Sequence, residues 1–266
     1  MSEEQLPIVL TGVSSGIGAR TAEILSGRGV PLIGIDRNAP QSFSGTFVQA
    51  DLSSQAGVDA AAAAVAAAAP NGIAGLANIA GVPGTAPWRT VLAVNVFGVR
   101  GLVRALAPLL GEGTGVVNLA SSVAVQWRGV KDRCAAFALA EDQAAALDSV
   151  AGDHEITGES YLFSKQCVRL LTEHLAAELL PRHIRVNSVS PGPVATPILE
   201  DFKKDHGRDK VDGASALLGR FGEPDDVARV IDFLLRAESG WVNGSDIRVD
   251  GGLAAYRGSA LAAAAG

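Results

Sequence analysis

Short apolar runs alternate with longer segments of helical periodicity along most of the chain. The apolar runs predict strands over seven ranges: 6–12, 31–36, 46–52, 72–81, 113–122, 184–192 and 246–252. The spacing of apolar positions predicts helices over 17–29, 53–72, 88–110, 160–181 and 223–236. Strands that are apolar throughout and alternate with helices are typical of a parallel sheet covered on both faces. We therefore predict a doubly wound, Rossmann-type α/β sheet in one domain, 1–266.

The segment from Val125 to Gly158 follows neither pattern clearly. Residues 132–150 within it are helix-like, because alanine and other apolar residues recur there between charged ones. The next segment is the clearest helix of the chain, with apolar positions close to a 3.6-residue period: Leu162, Val168, Leu171, Leu175 and Leu179.

The first predicted strand runs directly into the turn TGVSSGIG. Glycines allow such a turn to be tight and to approach a pyrophosphate, which the N-terminus of the following helix stabilises. The spacing differs from GxGxxG, and a purely structural glycine-rich turn is the alternative. We expect this turn to bind the phosphates of a dinucleotide through Gly12, Ser14, Ser15, Gly16, Ile17 and Gly18.

Asp36 ends the second predicted strand, 18 positions after Gly18. A carboxylate at this place hydrogen-bonds the hydroxyls of an adenosine ribose and repels a 2′-phosphate, which favours NAD. Arg37 stands beside it and is a candidate partner for a 2′-phosphate. NADP therefore stays an alternative cofactor.

Tyr161 and Lys165 are four positions apart in the clearest predicted helix. Four residues make about one helical turn, so both side chains lie on one face. A nearby ammonium and an oxidised nicotinamide favour the phenolate over a phenol of ordinary pKa ~10, which suits proton transfer to and from an alcohol. A solvated helix face that carries two unrelated residues is the alternative.

Composition narrows the classes of partner. The chain has a net charge of −6, 48% hydrophobic and 19% charged residues, and no cluster of lysine and arginine, so we predict neither nucleic acid nor membrane as partner. The start, MSEEQLP, has no signal-peptide pattern, and we expect no apolar run of the roughly 18 residues that span a membrane. Cys134 and Cys167 lack metal-ligand spacing. These features predict a cytoplasmic protein without a metal site.

Motifs spread over nearly the whole chain occur in the order that is found in one enzyme family. They are TGVSSGIG, the strand-end Asp36, ADL with Asp51, ANIAG, VNVFG with Asn95, VVNLASS, YLFSK, RVNSVSPGPVATP and VDGG. In this combination the chain resembles the short-chain dehydrogenase/reductase family. That resemblance implies cofactor contacts beyond the first turn and Asp36 at Asp51, Leu52, Asn78, Ala80, Gly81, Tyr161, Lys165, Pro191, Gly192, Val194 and Thr196.

The resemblance also implies a catalytic group of Asn95, Ser122, Tyr161 and Lys165. Ser122 would hydrogen-bond the substrate oxygen, with Ser121 as its rival, and Asn95 would hold a relay water. Lys165 would also bind the nicotinamide ribose. A satisfied polar group at Asn95 and a plain strand end at the serines are the structural alternatives.

Three features depart from the family pattern. Ile79 replaces a usual asparagine, the connection from Gly81 to Asn95 is short, and Ser122 and Tyr161 are 39 positions apart instead of about a dozen. The excess, about 127–157, would form a helical roof over the substrate or would block one subunit interface; surface decoration is the third reading. This layout is similar to the bacterial 3α-hydroxysteroid dehydrogenase/carbonyl reductase branch and to coniferyl-alcohol dehydrogenases.

The branch implies a small hydrophobic alcohol or ketone as substrate. We expect a substrate loop at about 193–221, with an apolar wall formed by Ile198, Leu199, Phe202, Leu217 and Leu218. The family also implies an oligomer, which we predict to be a homodimer through the last helix and strand, with a tetramer as the alternative.

Overall fold

All seven predicted strands lie in one parallel sheet, in the order β3-β2-β1-β4-β5-β6-β7. The computed structural model describes residues 5–259, except the side chains of Phe202, Asp205, His206 and Lys210. The strands are β1 Ile8–Thr11, β2 Leu32–Asp36, β3 Thr46–Gln49, β4 Ile73–Asn78, β5 Leu110–Leu119, β6 Arg185–Pro191 and β7 Asp246–Val249. The predicted Rossmann-type fold is confirmed.

Helices cover both faces of this sheet, in the order expected for alternating strands and helices. They are α1 Gly16–Gly27, α2 Gln55–Ala68, α3 Trp88–Leu92, α4 Val99–Leu106, α5 Lys131–Ala138, α6 Gln143–Ser149, α7 His154–Gly158, α8 Ser160–Leu179, α9 Leu199–His206, α10 Arg208–Leu218, α11 Pro224–Leu235 and α12 Leu253–Arg257. Because successive strand residues face opposite sides, Val9 belongs to the core under α2, α4 and α8, whereas Leu10 belongs to the core under α1 and α11.

The long helix predicted over 88–110 is interrupted. It consists of α3, a π-helical turn at Ala93–Gly98, α4 and a short 3₁₀ turn. A π turn adds a residue without breaking an apolar pattern, so periodicity did not reveal it. The stretch Trp88–Leu109 is also long and apolar enough to cross a membrane, contrary to our expectation of no such run, but 72% of its apolar 18-residue window is buried inside the fold. Burial of that extent is typical of a core helix.

The segment 127–157 is helical and packs into the main core. Asp142 and Asp153 cap α6 and α7 through hydrogen bonds from backbone N–H groups, so the helix predicted over 132–150 is in fact two helices. The ring of Phe137 contacts those of Phe97 and Phe163 at centroid distances of 5.1 and 5.4 Å. This segment therefore covers the outer faces of α4 and α8.

Helices α9, α10 and α12 were not predicted from the sequence. The segment 193–221 contains α9 and α10, and α12 follows β7 after Gly251 and Gly252, which have φ values of 63° and 88°. Left-handed φ values of this kind favour glycine. The turn redirects the chain at the end of the sheet, so that α12 packs beside α10.

Candidate active site

A cleft of about 770 Å³ lies at the carboxyl ends of the strands. Loops after β1, β4, β5 and β6 line it, together with the start of α8 and parts of α10 and α12. The sheet order places β1 and β4 side by side in the middle. Chain connections leave in opposite directions at this point, which is where open α/β sheets bind ligands.

The glycine-rich turn forms one wall of the cleft. Gly12 and Gly16 have φ values of 77° and 55°. A Cβ on Gly12 would lie 2.9 Å from the backbone nitrogen of Ala80, and a Cβ on Gly18 would lie 2.0 Å from the carbonyl oxygen of Gly12. No side chain fits at these two positions. Thr196 approaches Gly16 from the loop after β6, so the predicted phosphate and nicotinamide segments face each other.

Asp36 lies at the cleft edge, at the end of β2. Its Oδ2 accepts hydrogen bonds from the backbone nitrogen and hydroxyl of Ser14 at 3.0 and 2.7 Å. Its Oδ1 accepts one from the nitrogen of Asn38 at 2.9 Å. The carboxylate is thus fixed and retains lone pairs for further donors. Arg37 is exposed and does not line the cleft.

Residues of the turn after β4 line the cleft, whereas Asn78, the last residue of β4, does not. The hydroxyl oxygen of Thr11 accepts hydrogen bonds from the nitrogens of Ile79 and Ala80, both at 2.9 Å, and thereby joins the ends of β1 and β4. Ala80 and Gly81 line the cleft, whereas Asn78 is buried and donates to Asn118. Asp51 and Leu52 also lie outside the cleft lining.

Tyr161 and Lys165 lie in the first turns of α8 and both line the cleft. The Lys165 Nζ is 5.6 Å from the centroid of the Tyr161 ring and donates a hydrogen bond to the carbonyl of Leu119 at 2.7 Å. Lys165 is only 4% exposed. Burial lowers the pKa of its ammonium from 10.5 to about 8, because the charged form is poorly solvated.

Both serines after β5 line the cleft, but they differ in their contacts. The Ser121 hydroxyl accepts a hydrogen bond from the nitrogen of Val123 at 3.4 Å and caps the short 3₁₀ turn Ser122–Ala124. Ser122 begins that turn and is half-buried. Its hydroxyl has no hydrogen-bond partner within residues 5–259, so it is available to a ligand in the cleft.

Asn95 lies behind the cleft rather than in it. Its Oδ1 accepts a hydrogen bond from the nitrogen of Val82 at 3.0 Å, and its Nδ2 donates to the carbonyl of Val82 and the hydroxyl of Ser164, both at 3.1 Å. The π turn presents this side chain to the turn after β4 and to α8 simultaneously. Asn95 therefore fixes the relative position of Gly81 and α8.

The apolar wall differs from the predicted one. Ile198 lines the cleft, whereas Leu199, Leu217 and Leu218 do not, and the side chain of Phe202 is outside the described part of the structure. The helical period of α10 turns Val211 and Ala214 toward the cleft and leaves Leu217 48% exposed. Sequence reasoning missed further lining residues, among them Val123, Val125, Gln126, Glu159, Leu253, Ala254 and Arg257.

Residues 127–157 contribute nothing to the cleft lining. The segment packs against the outer side of α8 instead, while the cleft lies at its first turn. Of the roles that we considered for it, the helical roof over the substrate is therefore wrong. Coverage of the α4 and α8 faces agrees with a blocked subunit interface.

Known proteins share this architecture over nearly its full length. Residues 7–131 match the family model for short chain dehydrogenase, and residues 143–254 match that for Enoyl-(Acyl carrier protein) reductase. The chain is 38% identical to a coniferyl-alcohol dehydrogenase of Pseudomonas sp., over 93% of this chain and 96% of that protein. It is 33% identical to a 3-alpha-hydroxysteroid dehydrogenase/carbonyl reductase of Comamonas testosteroni, over 92% and 95%.

A solved structure of a dehydrogenase also matches this chain over nearly its full length. The 3-alpha-hydroxysteroid dehydrogenase from Pseudomonas sp. B-0831, crystallised in complex with NADH, matches with a TM-score of 0.84 and 36% identity, over 94% of this chain and 98% of that one. The parallel sheet, the glycine-rich turn and the full-length similarity lead to one assignment. This chain belongs to the short-chain dehydrogenase/reductase family.

Proposed function

We propose that this oxidoreductase interconverts a hydrophobic secondary alcohol and its ketone with NAD(H). The observation that carries the proposal is the convergence of Ser122, Tyr161 and Lys165 in the cleft that also contains the glycine-rich turn. A proton-transfer group and a dinucleotide cradle in one cavity are what this reaction needs.

The residues present fit a nicotinamide dinucleotide. The approach of Gly12 to Ala80 and of Gly18 to Gly12 leaves backbone without side chains where a pyrophosphate would lie, at the N-terminus of α1. Asp36 is held by Ser14 at the far end, where its charge disfavours a 2′-phosphate. We therefore propose NAD rather than NADP, and Asp36→Ala is expected to weaken NADH binding and to strengthen NADPH binding. Tighter NADPH binding by the unaltered protein would contradict this choice.

Each residue of the catalytic group has a separate task. The nicotinamide ring, when bound, accepts or returns the hydride. Tyr161 takes the hydroxyl proton of the alcohol during oxidation and returns it during reduction. The Lys165 ammonium, 5.6 Å from the Tyr161 ring, favours the phenolate, and the free Ser122 hydroxyl hydrogen-bonds the substrate oxygen.

Asn95 acts in this scheme as a positioning residue. Its side-chain amide donates hydrogen bonds to the carbonyl of Val82 and to the hydroxyl of Ser164. The Ser164 hydroxyl in turn donates to the carbonyl of Tyr161 at 2.7 Å. This chain of hydrogen bonds holds the first turn of α8 against Gly81. A relay water held by the Asn95 amide hydrogens does not fit these contacts.

The apolar wall supports a hydrophobic substrate. Val211, Ala214, Leu253 and Ala254 line the cleft with aliphatic groups. Both curated relatives named above are dehydrogenases whose names refer to bulky cyclic alcohols. We propose a small cyclic or aromatic alcohol or ketone as the substrate and a cytoplasmic location.

We also propose a homodimer that uses α11 and β7. Segment 127–157 covers the faces of α4 and α8, so those helices are not available to a partner. Trp241, in the loop between α11 and β7, is fully exposed, and Phe233 on α11 is 43% exposed. Large exposed aromatic residues of this kind mark protein interfaces. A solution mass equal to that of one chain would contradict the dimer.

The central test combines Tyr161→Phe with a screen of steroid, terpene, aromatic and short aliphatic alcohols. The unaltered protein is expected to reduce NAD with at least one bulky cyclic alcohol. Tyr161→Phe is expected to bind NADH equally well and to lose turnover by about 100-fold or more, since general acid–base catalysis contributes on that order. Turnover near that of the unaltered protein would refute the proposed mechanism.

A further inference from the structure

Four charged side chains line the cleft, and two of them have no place in the proposed reaction. Asp36 is fixed by Ser14 at the cofactor end, and Lys165 is buried beside Tyr161. Glu159 and Arg257 also line the cleft, and both are exposed. Neither forms an ion pair with any side chain that the structure describes.

Arg257 lines the cleft from the β7 side of the sheet, whereas Asp36 lines it from the β2 side. It ends α12, and α12 follows β7, which is separated from β2 by four strands. Five strand spacings amount to about 24 Å, which is more than an arginine side chain spans. Because α12 follows β7 on the other side of the sheet centre, we assign Arg257 to the substrate part of the cleft rather than to the adenosine part beside Asp36.

The packing of α12 keeps Arg257 at this place. The Asp250 carboxylate accepts hydrogen bonds from the nitrogens of Gly252 and Ala254 at 3.0 and 2.9 Å and so fixes the start of α12. Gly192 abuts the backbone of Asp250, and Gly251 abuts the side chain of Leu218. The residues that lead into α12 thus contact the loop after β6 and the last residue of α10.

The surroundings of Arg257 point to an amphiphilic ligand. Apolar side chains line the same cleft as the catalytic group and Arg257: Val123, Val125, Leu162, Ile198, Val211 and Leu253. A guanidinium at the end of such a wall is suited to a carboxylate, which it binds through two parallel hydrogen bonds. Glu159 precedes Tyr161 by two positions, so its negative charge repels an anion from the catalytic end.

We infer that Arg257 selects, among the hydrophobic alcohols and ketones of the proposed reaction, those that carry a carboxylate remote from the reacting carbon. Glu159 and Arg257 together orient the substrate, with its carboxylate toward α12 and its hydroxyl or keto group toward Tyr161. The inference rests on the proposed function for the identity of the reacting group. The charge preference itself is a binding property and is measurable without turnover.

The experiment compares an oxocyclohexyl-benzoate with its methyl ester, which share one skeleton and differ by one charge. Each is titrated calorimetrically into the protein saturated with NADH, and turnover is measured separately. Arg257→Gln is expected to weaken binding of the acid about threefold to fivefold and that of the ester less than twofold, as for a solvent-accessible charge pair. Arg257→Lys is expected to retain part of the preference, and added salt to reduce it.

Arg182→Gln is the matched control. Arg182 is also exposed, and it donates a hydrogen bond to the carbonyl of Leu110 at 2.7 Å. It precedes β6 and so lies at the opposite ends of the strands. This variant has the same change in net charge and is expected to bind both compounds normally. The inference would be overturned if Arg257→Gln lost equal affinity for the acid and the ester. It would also be overturned if Arg182→Gln lost as much affinity for the acid as Arg257→Gln does.

The measurements separate the two proposals. An Arg257-dependent preference for the acid, without turnover of any alcohol in the screen, would support the inference and refute the proposed function. Turnover of neutral alcohols, with equal binding of acid and ester, would support the proposed function and refute the inference.

Discussion

The burial of Lys165 makes the stability of this protein depend on pH between about 8 and 10.5. Its ammonium has one hydrogen bond, to the carbonyl of Leu119 at 2.7 Å, and no carboxylate pairs with it in the described part of the chain. Burial lowers its pKa from 10.5 to about 8. In the unfolded chain the ammonium is hydrated, so folding transfers a charge out of water without a counter-charge.

The size of this effect follows from the two pKa values. A difference of one pH unit is worth about 1.36 kcal/mol, so the unpaired ammonium lowers the free energy of unfolding by about 3 kcal/mol near pH 7. Below pH 8 both states hold the proton, and the penalty is complete. Between pH 8 and 10.5 the folded state has released the proton while the unfolded state still binds it, so this contribution to stability rises with pH.

Lys165→Met tests this reasoning in urea unfolding of the cofactor-free protein at pH 7 and pH 10. The variant loses the hydrogen bond to Leu119, a cost of about 1 kcal/mol that does not depend on pH. The informative quantity is therefore the change between the two pH values. We expect the stability of the variant relative to the unaltered protein to fall by about 2.5 kcal/mol from pH 7 to pH 10.

Lys131→Met is the matched control for this measurement. Lys131 is an exposed lysine at the start of α5, and its loss is expected to give the same difference in stability at both pH values. Equal protein concentrations are needed, because assembly adds its own contribution to stability. A constant difference for Lys165→Met as well would refute the reasoning, since it would mean that the folded protein holds this proton as tightly as the unfolded chain.

Three further predictions follow from other contacts. Gly18→Ala is expected to abolish NADH binding, because its Cβ would lie 2.0 Å from the carbonyl oxygen of Gly12. The control Gly27→Ala, in the same helix, adds a Cβ that meets nothing within 4 Å and is expected to bind NADH normally. Calorimetric titration with NADH measures both affinities. Arg100→Met removes two hydrogen bonds of 2.6 Å, to the carbonyls of Ala138 and Ala140. Urea unfolding is expected to show a free energy of unfolding lower by about 1–3 kcal/mol. Amide hydrogen exchange over 131–149 is expected to be faster. Trp241→Ser is expected to shift a dimer toward monomer by at least threefold in Kd, measured by sedimentation, if its ring lies in the proposed interface.

The parts of the site that could be predicted from the sequence are those formed by residues close together along the chain. The glycine-rich turn depends on Gly12 and Gly18 being six positions apart, which brings a glycine of the helix against the carbonyl of the turn. Tyr161 and Lys165 share a helix face because they are four positions apart. The end of β2 places Asp36 at the cleft edge. Each of these placements requires only one local element.

Contacts between distant elements were not predictable in the same way. The structure places Asn95 between Val82 and Ser164, which are 13 and 69 positions away. That placement depends on a π turn that leaves the apolar pattern of its helix intact. The five-residue helix α12 is too short to produce a periodic pattern, and its place beside the cleft depends on tertiary packing. Arg257 therefore gave no signal in the sequence.

The segment 127–157 shows how an unusual length can direct attention to the wrong element. Its position between Ser122 and Tyr161 suggested that it covers the substrate, but the buried Arg100 donates to the carbonyls of Ala138 and Ala140, and this anchors the segment to α4. Breaking such buried hydrogen bonds is costly, so the segment is held away from the cleft. The residues that line the cleft include members of α10 and α12, which follow β6 and β7, besides those after β5 and at the start of α8. Substitutions there, rather than in the segment, are expected to change which alcohol is accepted.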